Sequence, residues 1–274
     1  MLGQEEHSNL CKKAKEVRKT VIEMMGYDRP HHFGGSLSSV EIITALYFHK
    51  MRYDARNPDW SDRDRFIMSK GHGVPTQYAA LALLGVIPKE DLFTLKRLGS
   101  ILQGHPNANL TPGIEAYTGS LGQGLSFANG IAMAARLRKQ VFHVYVLLGD
   151  GELHEGQIWE AAMTTVTLKL SKVTAIIDNN HIKSQGRTSD AKMLDPLAEK
   201  WTAFGWHVLT IDGHDLSQIC CALDEADLIN DIPTMIIADT VKGKGFLFME
   251  NRFEFHNAPI SQEQWLQAMK EIAK

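Results

Sequence analysis

Asp150 and Asn180 are the two residues whose types and spacing most directly suggest chemistry. Asp150 stands in VYVLLGDGELHEG and Asn180 in KVTAIIDNNHI, each just past a run of β-branched and aliphatic residues that reads as a buried strand. About thirty residues separate them, the span of one strand–helix–strand crossover. If those strands are neighbours, their ends lie about 5 Å apart, and a carboxylate and an amide oxygen can share one cation. Hard oxygen ligands favour Mg²⁺ or Ca²⁺, and Mg²⁺ commonly completes its shell with water and phosphate oxygens. Gly149 and Gly151 flank the aspartate and remove side chains where backbone would approach an anion. A helix beginning near Glu155 would turn its free amides toward the same place. GDG alone is compatible with an ordinary turn, but with Asn180 at crossover spacing it points to a cation and a diphosphate.

A second glycine cluster, GSLGQG at Gly119 to Gly124, opens the small-residue segment LSFANGIAMAARL. Its order is GxxGxG and no strong strand precedes it, so it does not read as a dinucleotide fingerprint. Of the twelve histidines, His7, His49, His143 and His207 have no motif around them, and no HExxH occurs. Four others sit in loops marked by glycine or proline. They are His32 in HHFGGSLSSVEI, His72 in DRFIMSKGHG, His105 in LQGHPN and His256 in FEFHNAPI. Loops at the mouth of a sheet are where polar groups can face a ligand.

These residues require a scaffold that delivers strand ends to one place. Strands are expected at Val144 to Leu148, Val173 to Ile177, His207 to Ile211 and Thr234 to Ala238, with helices at Gly156 to Leu168 and Leu216 to Ile229 between them. That alternation predicts an α/β fold with a mostly parallel sheet flanked by helices and ligands at the carboxyl ends of its strands. Upstream, helices are expected from about Asn9 to Met25 and from Ser38 to Met51, the second introduced by Gly34 and Gly35. No repeat or linker breaks the chain, so one domain is expected over residues 1–274.

Composition narrows the function further. With 44% hydrophobic and 22% charged residues the chain is an ordinary globular one, and its net charge of -3 gives no global positive field for nucleic acid or an anionic membrane. Lys12, Lys13 and Lys15 form only a local basic face. The apolar run from Ala79 to Ile87 is too short to span a bilayer. Cys11, Cys220 and Cys221 show no CxxC spacing, and a reducing cytoplasmic setting is expected.

Taken in order, GHG, GHP, GSLGQG, GDG, NN, DGHD and KGKG resemble the transketolase family, and the match runs from about His32 to Ile260. The resemblance implies a thiamine diphosphate-binding fold and a divalent cation held by Asp150, Asn180 and the main-chain oxygen of Ile182. It implies diphosphate contact by His72 and Gly151, and cofactor contacts from Gly119, Leu121 and His256. His105 and His256 would hydrogen-bond sugar hydroxyls, and His32 would handle the proton of the cleaved alcohol. Glu155 and Glu160 would lie near a subunit interface. The implied reaction moves a two-carbon ketol unit from a ketose, commonly a phosphate ester, to an aldose acceptor.

Two segments depart from the family. PHHFGGS replaces the usual SGHPGAP around His32, and Lys96 stands where many relatives carry an arginine for the substrate phosphate. Lysine attracts an anion but cannot make the planar two-point contact. Full-length transketolases also carry, in a second domain, the glutamate that activates the cofactor and the pocket for its pyrimidine ring. No counterpart is found here, and Glu41, Glu152, Glu155 and Glu160 all belong to first-domain segments. The expectation is a separate C-terminal transketolase subunit that supplies both, in a heterotetramer. The competing readings are the α subunit of a 2-oxoacid dehydrogenase, the front half of a deoxyxylulose phosphate synthase, and a non-catalytic diphosphate-binding module. GHP and GSLGQG favour transketolase over the first two.

Overall fold

The four expected strands form, and a fifth joins them. The computed structural model of the chain describes residues 2–273. Its main sheet consists of β1 (Arg65–Met68), β2 (Val144–Gly149), β3 (Val173–Asn179), β4 (His207–Asp212) and β5 (Thr234–Asp239). All neighbours are parallel, in the order β1-β2-β3-β5-β4. β1 is too short to be conspicuous in the sequence, four residues, RFIM, between Asp64 and Ser69.

Alternation along each strand sends side chains into two separate cores. Val144, Val146 and Leu148 of β2 and Val173, Ala175 and Ile177 of β3 pack with helices α5 (Gly124–Leu137), α6 (Gly156–Thr167) and α7 (Leu197–Ala203). Tyr145, Leu147, Ile176 and Ile236 face the opposite layer. That layer contains α1 (Gln4–Met25), α3 (Val40–Ala45), α4 (Val74–Leu84), α8 (Leu216–Leu228) and α9 (Gln262–Ala273). Burial on both faces explains why β2, β3 and β5 read as continuous apolar runs.

Two helical boundaries differ from expectation. α1 begins at Gln4 rather than Asn9, because its exposed first turn carries Glu5 and Glu6, which suit the positive helix end but show no apolar period. The single helix expected over Ser38 to Met51 is two pieces, α3 and a π turn at Leu46–Lys50, and a further short helix, α2 (Phe33–Leu37), precedes them. Gly34 and Gly35 lie inside α2 instead of introducing a helix. Their missing side chains are needed there, since a Cβ on Gly34 would come within 2.8 Å of the Lys242 stem and one on Gly35 within 3.2 Å of the His72 ring. The Ala79 to Ile87 run is mostly α4, buried and closed by Gly85 in the left-handed region. Among the described residues, no helix is long and apolar enough to cross a membrane.

Candidate functional site

β2 and β3 are paired, with Gly149 opposite Asp178, so Asp150 and Asn180 leave adjacent strand ends together. Gly151 N–H donates to Asp150 Oδ1 at 2.7 Å, through a short 3₁₀ turn, Gly151–His154, that precedes α6. Asp150 Oδ2 is buried and has no hydrogen-bond partner. Burial, followed by the nearby Asp178 carboxylate, pushes the Asp150 pKa up to about 6. A buried anionic oxygen without a donor is under-satisfied and suits a cation.

The neighbouring polar atoms fit that demand. Asn180 Nδ2 donates to Asp178 Oδ2 at 3.0 Å, which fixes the amide's orientation, while its Oδ1 accepts from Ile182 N–H at 3.2 Å. The Ile182 carbonyl accepts from Lys242 Nζ at 2.8 Å. Asp178 is fully buried in β3 and also pairs with Lys70, with Ser38 Oγ at 2.7 Å and with Thr240. Among the described residues no three His, Cys, Asp or Glu side chains cluster as a metal site. A metal here would rest on a mixed set of carboxylate, amide and carbonyl oxygens, the chemistry of Mg²⁺.

A cavity of about 400 Å³ opens over these atoms. Its walls include Asp150, Gly151, Asn180 and Ile182 from the strand ends, Gly119 and Leu121 from the glycine loop, and His32, His72, His105 and His256. The sequence-distant histidines therefore meet. The ring centroids of His32 and His72 are 5.2 Å apart, His32 and His105 5.9 Å, His32 and His256 5.5 Å, and His72 and His256 5.1 Å. His256 reaches them because His31 and Ala258 exchange a pair of 3.2 Å backbone hydrogen bonds.

The glycine loops must approach each other closely for this to happen. Gly119, at φ +132°, has His105 so near that a Cβ would meet its ring at 2.8 Å. A Cβ on Gly71 would lie 2.8 Å from Gly119 N and from the Thr118 carbonyl carbon. Both are backbone atoms and cannot swing away. Gly71→Ala is therefore expected to cost about 1–3 kcal/mol in urea unfolding. Gly130→Ala, whose Cβ would meet nothing within 4 Å on α5, should be neutral or stabilising by up to about 1 kcal/mol. Equal losses for the two would contradict this packing.

Burial holds these imidazoles neutral. It is the first cause in each case, and it pushes His32 down to about 4 with help from His105, and His256 down to about 3 with help from Lys242. His72 is lowered well below the ordinary range by burial and then Lys70, and His105 is lowered by burial and then Lys96. Because the folded pKa values lie below the unfolded 6.5, their contribution to stability is intact above pH 6.5 and is lost as pH falls toward 4. The melting temperature should drop over that window, and His256→Gln should flatten the drop. A pH-independent difference between the two proteins would argue against a buried neutral cluster.

Five cavity residues are not signalled as site residues by the sequence. Lys70 and Lys242 place buried ammonium groups at its floor, and His154, Lys183 and Ser184 contribute to its wall. The lysines stand inside SKGHG and KGKG, and Asp178 inside the apolar strand IIDNN, so the visible signal was a charge within a buried element. Glu152 also turns out to be a brace, buried and accepting from Gly122 N–H at 2.9 Å and Gly149 N–H at 3.0 Å. Glu155 is exposed at the cavity edge, whereas Glu160 is exposed on α6 and outside the cavity. Lys96 is likewise outside the wall. It lies beside Gly104 at φ +61° and donates to the Pro30 carbonyl at 2.7 Å.

Parallel strand ends carrying an unsatisfied carboxylate, two buried ammonium groups and glycine-lined loops could hold a cation and a phosphate-bearing ligand. Residues 11–273 match the family described as transketolase, thiamine diphosphate binding domain, and the chain belongs to that family. The chain is 44% identical over 270 residues to 6-deoxy-6-sulfo-D-fructose transketolase subunit SqwG of Clostridium sp. (strain MSTE9), covering 98% of each. It is 41% identical over 261 residues to an apulose-4-phosphate transketolase subunit of Phocaeicola vulgatus, covering 95% of this chain and 92% of that one. Transketolase from Leishmania mexicana superposes with a TM-score of 0.91 at 32% identity over 97% of this chain. The chain spans 41% of that solved transketolase.

Proposed function

We propose that this chain is the diphosphate-binding subunit of a two-chain, thiamine diphosphate-dependent transketolase, one domain over residues 1–274, of which Met1 and Lys274 lie outside the described residues. The observation that carries the reading is the meeting of four imidazoles over the unpartnered Asp150 oxygen in one cavity. Asp150, Asn180 and the Ile182 carbonyl would hold Mg²⁺. Gly151, His72, Lys242 and the backbone of Gly119 and Leu121 would hold the diphosphate. When bound, thiamine diphosphate supplies a nucleophilic carbon and an electron sink for cleaving the carbon–carbon bond of a ketose.

The chain's own part is to orient substrate and move protons. Neutral His32 and His105 each offer one donor and one acceptor nitrogen to sugar hydroxyls, and His256, whose Nδ1 faces the Lys242 ammonium, offers its Nε2–H donor. His32, whose ring lies next to those of His72, His105 and His256, would take the proton of the alcohol cleaved and return it. Lys96, near His32 and His105, would attract an anionic end of the sugar as a point charge. The relatives from Clostridium and Phocaeicola are named as subunits of transketolases for a sulfonated and a phosphorylated ketose, which supports an anionic substrate and a second chain. That partner would bring the pyrimidine pocket and activating glutamate, docking near Glu155 and Glu160 in a heterotetramer. The three unpaired cysteines accord with a cytoplasmic setting.

Calorimetry tests the first half: thiamine diphosphate should bind with Mg²⁺ and lose most of its affinity with EDTA. A donor screen in the presence of the partner chain tests the second. Ketol transfer from ketoses is expected, and turnover of pyruvate or branched oxoacids in its place would overturn the assignment.

A further inference from the structure

Lys242 enters the cavity floor from the loop Val241 to Gly245, and what holds that loop lies behind it. Arg18 of α1, Glu41 of α3 and His214 in the turn after β4 form one hydrogen-bonded network. Glu41 Oε1 accepts from Arg18 Nη2 at 2.6 Å, and Oε2 lies 3.0 Å from His214 Nδ1. None of the three lines the cavity.

The network ends on the main chain on both sides of Lys242. Val241 N–H donates to His214 Nε2 at 2.8 Å, and Arg18 Nε–H donates to the Lys244 carbonyl at 3.2 Å. An amide donor requires an unprotonated Nε2, so the ring proton sits on Nδ1 and points at Glu41. In front, Gly243 N–H donates to the Gly34 carbonyl at 3.0 Å, and the Lys242 stem lies against Gly34 with no room for a Cβ. The ammonium is thereby delivered 2.8 Å from the Ile182 carbonyl and 3.1 Å from His256 Nδ1.

A carboxylate only 8% exposed, set between an arginine and a histidine, is a costly way to hold a fold together. Here three elements far apart in sequence direct it at two backbone atoms of one five-residue loop. We propose that Arg18, Glu41 and His214 are positioning residues that aim Lys242 at the diphosphate site. This rests on the reading of the cavity given above.

Two substitutions separate this role from simple packing. In His214→Gln the carboxamide oxygen reaches the place of Nε2 and still accepts from Val241, whereas His214→Asn keeps a short donor toward Glu41 and loses that acceptor. By calorimetry on the full chain, His214→Asn should weaken Mg²⁺–thiamine diphosphate binding about tenfold, the scale of one hydrogen bond, and His214→Gln by no more than about threefold. On a Lys242→Met background His214→Asn should have no further effect. A second readout needs no cofactor: the yield of Lys242 acetylation by limiting acetic anhydride, measured by mass spectrometry. It should rise in His214→Asn and not in His214→Gln. If His214→Asn does not fold, Arg18→Lys takes its place, since it keeps the charge on Glu41 and withdraws the donor to Lys244. Equal effects of Gln and Asn, additivity with Lys242→Met, or unchanged Lys242 acetylation would overturn the proposal. If the wild-type chain binds no Mg²⁺–thiamine diphosphate, the reading of the cavity fails, and acetylation alone decides whether the network positions Lys242.

Discussion

Asp150→Asn should make the metal-free chain harder to unfold at pH 7.5 while removing its Mg²⁺-dependent affinity for thiamine diphosphate. Both effects come from one buried oxygen. The Asp150 carboxyl is 3% exposed, its Oδ2 has no donor, and the Asp178 carboxylate is close by. Its pKa, pushed up to about 6 from 3.8, means that the folded state holds the proton more tightly than the unfolded one. The penalty is absent below pH 3.8, grows as pH rises through 6, and is then complete at a size on the order of 3 kcal/mol. Asparagine keeps the shape and the acceptor for Gly151 N–H but carries no charge, so it relieves most of that penalty. The same change would withdraw the anionic ligand proposed for Mg²⁺, and since outer-shell partners of a metal already cost 10–100-fold, loss of a direct ligand should cost at least about 100-fold in affinity. Thermal melts with EDTA at pH 4 and 7.5, together with calorimetry, check both. A variant that is less stable at pH 7.5 would refute the electrostatic account.

Lys70→Met should be among the most damaging single changes in the chain. Lys70 is 1% exposed and pairs with Asp178, which is 0% exposed. Removing the ammonium strands a fully buried carboxylate, a loss of about 3–5 kcal/mol even though Ser38, Thr240 and Asn180 still donate to it. Burial alone would raise the Asp178 pKa, and Lys70 is the main group that holds it below the ordinary value. Stability from the pair is therefore present above about pH 3.8 and lost as pH falls through the lower folded value. The deficit of Lys70→Met should shrink in acid and be partly recovered by Lys70→Met/Asp178→Asn, because no buried charge is then left unpaired. Urea unfolding at pH 7 and pH 4 reads all three. A loss under about 1 kcal/mol at pH 7 would mean that the hydroxyl and amide donors suffice. Because Asn180 Nδ2 also donates to Asp178, Lys70→Met should weaken cofactor binding as well.

Much of this could be read along the chain because it is local or periodic. β2, β3, β4 and β5 announced themselves as apolar runs, and the Asp150–Asn180 spacing anticipated the pairing that the parallel register shows. α2 is not legible in the sequence because Gly34 and Gly35 look like breakers, whereas they are small for the sake of Lys242 and His72. β1 was missed because four residues are too few to establish a period.

The sequence by itself determined the α/β alternation, the glycine-flanked aspartate at a strand end and the ordered set of histidine loops, since each depends on residue type and short spacing. Only the tertiary structure decided that the His32 ring lies within 6 Å of those of His72, His105 and His256, that Asp150 Oδ2 goes without a donor, and that Lys70 and Lys242 are buried. It alone also joined Arg18, Glu41 and His214 behind the Lys242 loop. Those are properties of distance and desolvation between segments up to 226 residues apart, and such electrostatics exist only once the sheet has brought the loops together.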